Sequence, residues 1–363
     1  MQWKKNNRVR VKTMIKKRIT EVKDNDILAK PIMTWDYQII IPQEAKLKRE
    51  YIERLEEIGI TEVYVKDNQE SSSEIVILKT DIEYSIKEKV KDILERHTYH
   101  NNQELAELSK TADNIISTIL EEDQIIEKVF DIRQRGTDIY EHSINTCSLA
   151  ILTALKLDVD KDKIHDIGVG CLLHDIGFRY STIDFEHKDV ESLNEKELSE
   201  YMKHPAYGYS SLKQEDWISE LSKSIILYHH ERIDGSGFPL HMKEIPFECR
   251  IVNVCDAFDE LICGITGKQV KVYEAIEYLK TFKNIKFDEK VVNAFLTFTA
   301  VYPAGSRVLT NEGELAVVLS QNKDFQDRPI IRILKDKDGN DVTEEKIINL
   351  VQIHNIFIEK AVD

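Results

Sequence analysis

The chain has 363 residues, 65 of them acidic and 50 basic, which gives a formal net charge of −15. A chain of this length accommodates two or three domains, and its acidic balance argues against DNA or RNA binding, which needs a basic surface. No apolar run approaches the ~18 residues of a membrane span, and no apolar core follows the basic start as in a secretory signal, so we expect a cytoplasmic protein.

Residues 1–70 are predicted to form a small mixed α/β domain. The segments Gln38–Pro42 and Thr61–Val65 have the composition and pattern of short strands. Between them, apolar residues at helical spacing predict a helix from Leu47 to Ile58, with Gly59 as its C-terminal stop.

Two polar segments border this domain. The basic start, which runs from Lys4 to Arg18, is expected to be a solvated tail, with contact to anionic lipid as the alternative. The segment Asn68–Ser73 is polar throughout and predicts a linker.

The rest of the chain is predicted to be helical and then β-rich. Residues 71–124 indicate a charged helical linker region, and residues 125–300 a helical bundle. Residues 301–363 alternate Val, Ile and Leu runs with turn residues, as in a small β-rich appendage, and Asp336–Asn340 predicts a hairpin turn. The fold class is therefore mainly α, with outer domains that are candidates for docking a signalling partner or a second copy of the chain.

Seven potential metal ligands in the helical region fall in a recognisable order: His142, His174, Asp175, His204, His229, His230 and Asp256. Imidazole nitrogen and carboxylate oxygen together suit borderline metals such as Fe, Mn, Zn, Ni or Co. A carboxylate among histidines can bridge two ions, and two-metal sites are a common device for cutting phosphodiesters. The pattern therefore indicates a metal-dependent hydrolase.

The tetrapeptide HDIG occurs twice, beginning at His165 and at His174. On one helix these two histidines would face opposite ways, since nine residues are about half a turn out of phase. His165 follows a charged run and His174 an apolar one, so we expect His174 in a buried site and His165 on the surface. The five cysteines form no CxxC pair, and we expect them to be reduced and buried.

The surroundings of three ligands leave alternatives open. His142 is predicted near the start of a helix from Asp138 to Leu155, where it is either a ligand or a surface histidine. His204 precedes a proline, which favours an element boundary. Asp256 lies in an apolar run, where a charge needs a metal, a helix cap or an ion pair.

These motifs resemble those of the HD-GYP family, a branch of the HD superfamily of metal-dependent phosphohydrolases. The resemblance covers roughly residues 125–300 and includes EHSIN, LLHDIG, MKHPAYG, YHHERIDGSGFP and RIVNVCDAFDEL, in which the terminal GYP of the family reads Gly237-Phe238-Pro239. It implies an HD-type all-helical domain that hydrolyses the bacterial second messenger cyclic di-GMP. It also identifies the N-terminal domain with the small domain often fused to such modules.

The resemblance further implies the ligand sets and the cofactor. One metal ion would be held by His142, His174, Asp175 and Asp256, and a second by Asp175, His204, His229 and His230. Some members bind a third ion with an acidic residue one helical turn before the first histidine, which is Asp138 here. We expect two or three divalent ions, with Fe or Mn favoured, and a bridging hydroxide that attacks phosphorus to give pGpG or GMP.

The substrate-binding positions depart from the family pattern. Phe178 replaces the lysine that follows HDIG and contacts phosphate, and Ile265–Lys268 replaces an arginine-rich clamp. Arg179 and Lys268 are therefore the candidate catalytic and substrate-binding cations. Gly235 and Gly237 are candidate substrate contacts, because glycine lets the backbone turn sharply or approach closely. Three neighbouring residues have two possible roles: Glu231, Arg232 and Asp234. They either position the substrate or partners of the histidines, or form a salt-bridged loop.

Three functions are compatible with this pattern. The first is hydrolysis of cyclic di-GMP with modified substrate contacts. The second is hydrolysis of another cyclic dinucleotide or nucleotide. The third is a catalytically weak, metal-bound signalling adaptor. The complete ligand set favours the two enzymes, whereas Phe178 and the missing arginines favour the other substrate or the adaptor.

Overall fold

In the computed structural model of this protein, the described residues are 12–29, 32–33, 39–42, 45–58, 60, 62–70, 80–96, 104–120, 138–183, 185, 189–265, 267–322, 325–342 and 344–362. The chain divides into two compact units, one of Met1–Ile75 with Tyr302–Asp363 and the other of Val76–Val301. The two end segments, predicted as separate domains, thus share a unit. The predicted linker region 71–124 falls largely within the helical unit, and its boundary at 124 lies outside the described residues.

The N-terminal part of the end unit is a small mixed α/β arrangement, as predicted. Strand β1 (Lys12–Arg18) pairs antiparallel with β4 (Glu62–Glu70), β2 (Ile32–Met33) pairs with β3 (Ile39–Ile41), and helix α1 (Arg49–Glu57) precedes β4. Apolar side chains from these segments form one buried cluster, in which Leu28, Leu47, Leu55 and Val65 are almost inaccessible to solvent.

The structure corrects both polar segments that border this part. The second half of the basic start, predicted as a solvated tail, is strand β1, and the first three residues of the predicted linker belong to β4. The two strands satisfy each other's backbone groups, and an antiparallel sheet tolerates polar residues on a solvated face. Residues 1–11, 71–79 and Gly59 lie outside the described residues.

The C-terminal part of the end unit is a five-stranded antiparallel sheet, which confirms the predicted β-rich segment. Its strand order is β8 (Ile347–Asn349), β7 (Phe325–Lys335), β6 (Leu315–Asn322), β5 (Arg307–Thr310) and β9 (Ile358–Val362). Its buried face centres on Val308, Val318 and Ile331. The predicted turn at Asp336–Asn340 is present: the main-chain amide of Asp336 donates to the carbonyl of Asn340, and Gly339 has a φ of 85°.

The helical unit contains α2 (Thr80–Arg96), α3 (Glu107–Leu120), α4 (Ile139–Lys156), α5 (Lys161–Leu173), α6 (Glu195–Tyr201), α7 (His204–Leu212), α8 (Glu220–Tyr228), α9 (Phe247–Cys263), α10 (Val272–Thr281) and α11 (Glu289–Phe298). Helix α4 matches the helix predicted from Asp138 to Leu155. A short 3-10 helix, Ile176–Tyr180, follows α5. No helix among the described residues is long and apolar enough to cross a membrane.

Helix α5 lies at the centre of the bundle and packs against α3, α4, α8 and α9. Two of its glycines permit this close packing. A Cβ added at Gly168 would lie 3.1 Å from the Cβ of Ala112, and one added at Gly170 would lie 2.9 Å from the Cβ of Ile225. The end of α5 is therefore held in place by direct contact with its neighbours.

The five cysteines are free and buried, as predicted. Burial raises the pKa of Cys249 and of Cys255 to about 12. A buried thiol with a raised pKa carries little thiolate and is chemically inert. The cysteines thus act as small apolar side chains of the core.

We predict that Gly170→Ala destabilises the helical unit. The added methyl group would overlap Ile225 on α8, and overpacking of a core costs about 1–3 kcal/mol. Thermal unfolding would measure the loss. Gly267→Ala is the matched control, because its nearest neighbour would lie 3.4 Å away; equal melting temperatures for both variants would contradict the close packing.

Candidate metal centre

The seven predicted ligands converge in one buried cluster because most of them stand at helix ends. His174 caps the C-terminus of α5, His204 begins α7 and His229 caps α8. His142 lies in the first turn of α4, and Asp256 lies within α9. All seven side chains are buried, which excludes the alternative of a surface histidine at position 142.

The end of α5 lets His174 and Asp175 face the same cluster. The helix stops at Leu173, so these adjacent residues escape the angular separation of helix neighbours. Gly177 permits a close contact nearby, because a Cβ at this position would collide with the carbonyl oxygen of His204. Glycine therefore allows the 3-10 helix to lie directly against the start of α7.

The carboxylate of Asp175 lies between two pairs of histidines. Its Oδ1 is 3.3 Å from Nε2 of His204 and 3.7 Å from Nε2 of His229. Its Oδ2 is 3.2 Å from Nε2 of His174 and 3.8 Å from Nε2 of His142. Each oxygen thus faces a different pair of nitrogen atoms, which is the arrangement of a bridging ligand.

Asp256 adds a second carboxylate on the His142 side. Its Oδ1 is 3.2 Å from Nε2 of His142 and 3.4 Å from Nε2 of His174. Its Oδ2 is 3.7 Å from Nδ1 of His230 and is buried without a hydrogen-bond partner. A buried carboxylate oxygen in this position requires a positive charge.

In three of the histidines the outer nitrogen, Nδ1, makes a hydrogen bond outside the cluster, which leaves the inner nitrogen, Nε2, to face the other ligands. The Nδ1 atoms of His174, His204 and His229 lie 2.6–2.9 Å from main-chain carbonyl oxygens three residues earlier. A carbonyl oxygen only accepts, so each Nδ1 carries a proton, and Nε2 is the nitrogen of each ring that faces the cluster.

These inner nitrogens lie close to one another. Nε2 of His174 is 3.2 Å from Nε2 of His142, and Nε2 of His204 is 3.0 Å from Nε2 of His229. Two lone pairs at this separation repel each other unless a proton or a metal cation lies between them. The donor set therefore fits a cation at each pair, with nitrogen and carboxylate ligands that suit divalent borderline metals.

The pKa values of the rings reflect the same requirement for positive charge. Burial lowers the pKa of His174, but Asp175 and Asp256 outweigh it and raise the pKa to about 10. Burial, together with the charge of His174, lowers the pKa of His229 to about 3. Without a metal cation, the cluster therefore holds a proton near its carboxylates, and metal binding would displace that proton.

Three residues of the site lay outside the sequence prediction. Asp259, one turn after Asp256 on α9, accepts the Nδ1 proton of His142 at 2.8 Å and thereby orients that ring. Glu260 forms a further group with His230 and Asp256, whose ligand atoms lie within 4.8 Å of one another. Burial and the charge of Asp256 raise the pKa of Glu260 to about 8. Both lie in the same run as Asp256, which is the signal that could have found them, but their contacts follow only from the fold.

The third residue is Asn253, which secures the loop after α8. Its amide donates to the main-chain carbonyls of Tyr228 and Glu231. The buried carboxylate of Glu231 in turn accepts from the main-chain amides of Leu240 and Met242. Glu231 therefore anchors the loop through main-chain amides, which is neither a contact to the histidines nor the salt bridge that the sequence left open.

Gly235 and Gly237 have structural roles in this loop. Gly235 turns the chain with a φ of 80°, and a Cβ at Gly237 would collide with the main chain at His230–Arg232. Both uses of glycine expected from the sequence therefore occur. A substrate contact by either residue remains a prediction.

The structure does not bring Asp138 into the cluster. Its Oδ1 caps α4 by accepting from the main-chain amides of Tyr140 and Glu141, and its Oδ2 is 2.9 Å from Nζ of the buried Lys87. Both oxygens thus serve the junction of α2 and α4. These contacts weigh against the third-ion role expected of Asp138, and that role stays a prediction.

The predicted substrate cations are exposed. Nη2 of Arg179 donates to the main-chain carbonyl of Glu95 on α2 at 3.4 Å, and Lys268 lies in the segment after α9. The first HDIG copy also lies away from the cluster, as predicted: Nδ1 of His165 is 2.8 Å from Asp113 and its Nε2 is 3.2 Å from Ser109, both on α3. Catalytic and substrate-binding roles for Arg179 and Lys268 remain predictions.

Comparison with known families agrees with this geometry. The HD domain family matches residues 90–291. The chain belongs to the HD domain family, and its HD-GYP character is confirmed. A KOW domain associated with HD domains matches residues 307–363, which include the whole five-stranded sheet.

Relatives extend the comparison. The chain is 30% identical over 221 residues to a cyclic di-GMP phosphodiesterase of Pseudomonas aeruginosa, covering 60% of this chain and 53% of the relative, so the match spans about half of that protein. It is 32% identical over 128 residues to a 3′3′-cGAMP-specific phosphodiesterase of Vibrio cholerae, covering 34% of this chain and 24% of the relative. An HDG"Y"P protein from Bdellovibrio bacteriovorus has the same fold, with a TM-score of 0.52, 19% identity and coverage of 78% of this chain and 98% of that one.

We predict that Asp138→Asn lowers stability but leaves the metal content unchanged. Asparagine still caps α4 but loses the charge that faces Lys87, and a lost hydrogen bond between charged groups costs about 1.5–3 kcal/mol. Metal analysis and thermal unfolding of the purified variant provide the two readings. Asp162→Asn, at an exposed position in α5, should alter neither. Loss of one equivalent of metal in Asp138→Asn would restore the third-ion assignment.

Proposed function

We propose that this protein is a divalent-metal-dependent phosphodiesterase that hydrolyses cyclic di-GMP to pGpG or GMP in bacterial second-messenger signalling. The observation that carries the proposal is the Asp175 carboxylate, whose two oxygens face two separate histidine pairs. The named activity of the Pseudomonas relative supports the choice of substrate.

The proposed ligand sets follow the contacts of Asp175. His142, His174 and Asp256 surround its Oδ2 side, and the ligands on its Oδ1 side are His204, His229 and His230. Asp175 is common to both sets. Bound there, two divalent cations supply activation of water and neutralisation of the charge on the phosphodiester. Among the candidate metals we favour Fe and Mn, by resemblance to the family.

The protein's own residues prepare this site for the reaction. Main-chain carbonyls and Asp259 hold the outer nitrogens, so the inner nitrogens are oriented before a cation arrives. The buried ligands exclude bulk water, which would strengthen the electrostatic attraction between cations bound at the cluster and an anionic substrate. The cluster therefore acts as a preorganised receptor for a phosphate held between two metal ions.

A second candidate is hydrolysis of a different cyclic dinucleotide. The relative named for 3′3′-cGAMP supports it, as does the replacement of the phosphate-contacting lysine by Phe178. The chemistry at the metals would be the same. A comparison of rates with cyclic di-GMP, cyclic di-AMP and 3′3′-cGAMP distinguishes the two candidates, and failure to hydrolyse any of them with metal bound would favour the adaptor.

We predict that Asp175→Ala removes most of the bound metal and abolishes hydrolysis, because one substitution deletes a ligand from both sets. The measurement is metal content together with anaerobic turnover of cyclic di-GMP after loading with Fe(II) or Mn(II), with pGpG and GMP separated by chromatography. Asp166→Ala is the matched control, since Asp166 occupies the same place in the first HDIG copy. Full metal content in Asp175→Ala would contradict the bridging role.

A further inference from the structure

Four aromatic rings lie on the His204 side of the cluster: Phe178, Phe185, Tyr201 and Phe238. Phe178 stacks on the ring of His204, with centroids 4.0 Å apart and planes 23° apart. Phe238 stacks on His230 at 4.5 Å and 28°. Two proposed metal ligands thus carry an aromatic ring on one face.

Three of the four rings reach the solvent. Tyr201 is 5% exposed, but Phe178, Phe185 and Phe238 are only partly buried. The ring of Phe185 lies 5.9 Å from that of Phe178 and 5.6 Å from that of Tyr201. Phe178 therefore connects a metal ligand on one side with a partly exposed aromatic surface on the other.

The chemistry of this surface selects among the parts of a nucleotide. Aromatic rings give a phosphate no hydrogen bond, whereas any nucleobase can stack on them. A substrate phosphate held at the cluster would lie beside the stacked pair of His204 and Phe178. The base of the same nucleotide would then be close to Phe178 and Phe185.

We propose that Phe178 and Phe185 form a stacking wall for one purine base of the substrate. The wall would take over part of the substrate binding that a phosphate-contacting cation at position 178 would otherwise supply. This inference rests on the proposed function in placing the substrate phosphate at the metal centre. Phe178 in addition positions His204, whereas Phe185 touches the cluster through Phe178 and Tyr201.

That difference between the two residues allows a selective test. Loss of the ring at position 178 would disturb both the base and His204, but loss of the ring at position 185 should disturb the base alone. The test variant is therefore Phe185→Leu, which stays apolar and loses the ring. Phe185→Tyr keeps the ring, and Phe325→Leu in the C-terminal sheet is a matched control.

The measurement compares two ligands on zinc-loaded protein, because zinc is redox-inert. Ligand-observed NMR gives the dissociation constants of GMP and of ribose 5-phosphate, which has the same phosphate and no base. Phe185→Leu should weaken GMP binding about fivefold or more, at the lower end of the loss from removing one stacked aromatic ring. Its affinity for ribose 5-phosphate and its zinc content should be unchanged, and Phe185→Tyr and Phe325→Leu should match the wild type.

Three results would overturn the stacking wall: equal weakening of both ligands, no weakening of GMP, or loss of zinc from Phe185→Leu. The binding measurement needs no turnover. If Phe185→Leu selectively loses GMP binding but the wild type hydrolyses no cyclic dinucleotide, the proposed function is contradicted and the stacking wall is supported. If the wild type hydrolyses cyclic di-GMP but Phe185→Leu binds GMP unchanged, the stacking wall is contradicted and the proposed function is supported.

Discussion

The structure of the helical unit depends on a buried set of nitrogen lone pairs and carboxylates that only positive charge can hold together. The inner nitrogens of His204 and His229 are 3.0 Å apart. Asp175 is buried beside them, and Asp256 is buried beside His142 and His174. Uncompensated charges and lone pairs at such distances would oppose folding. A ligand set of this kind would bind metal in the folded state only, so we expect metal binding and stability of this unit to be coupled.

The geometry of the cluster comes from the ends of helices and from close backbone contacts. His174, His204 and His229 lie at helix ends, so the regular helical repeat does not fix the directions of their side chains relative to the next residues. Gly177 and Gly237 allow segments that carry ligands to touch where any side chain would collide. These two motif glycines thus have a packing role, because they let the segments that carry the proposed ligands come into contact.

Much of this site was predictable from the sequence, because its ligands lie in short motifs at recognisable spacings. The seven converging ligands, the surface position of His165 and the helical class all follow from motif order and apolar pattern. The role of Asp138 was not predictable, since its partner Lys87 lies 51 residues earlier in the chain, on α2. The same applies to Phe178: its sequence position indicates a lost cation, but only the fold reveals the ring that stacks on His204. The pairing of β1 with β4 was missed because β1 is rich in lysine and arginine and its partner strand is distant in sequence.

The claim that Asp175 joins two cation sites is tested most directly by anomalous X-ray diffraction from crystals of the Mn(II)-loaded protein. The account predicts two separate manganese peaks, one bounded by His142, His174 and Asp256 and the other by His204, His229 and His230, with one oxygen of Asp175 on each. A single peak, or two peaks with both oxygens of Asp175 on the same ion, would contradict it.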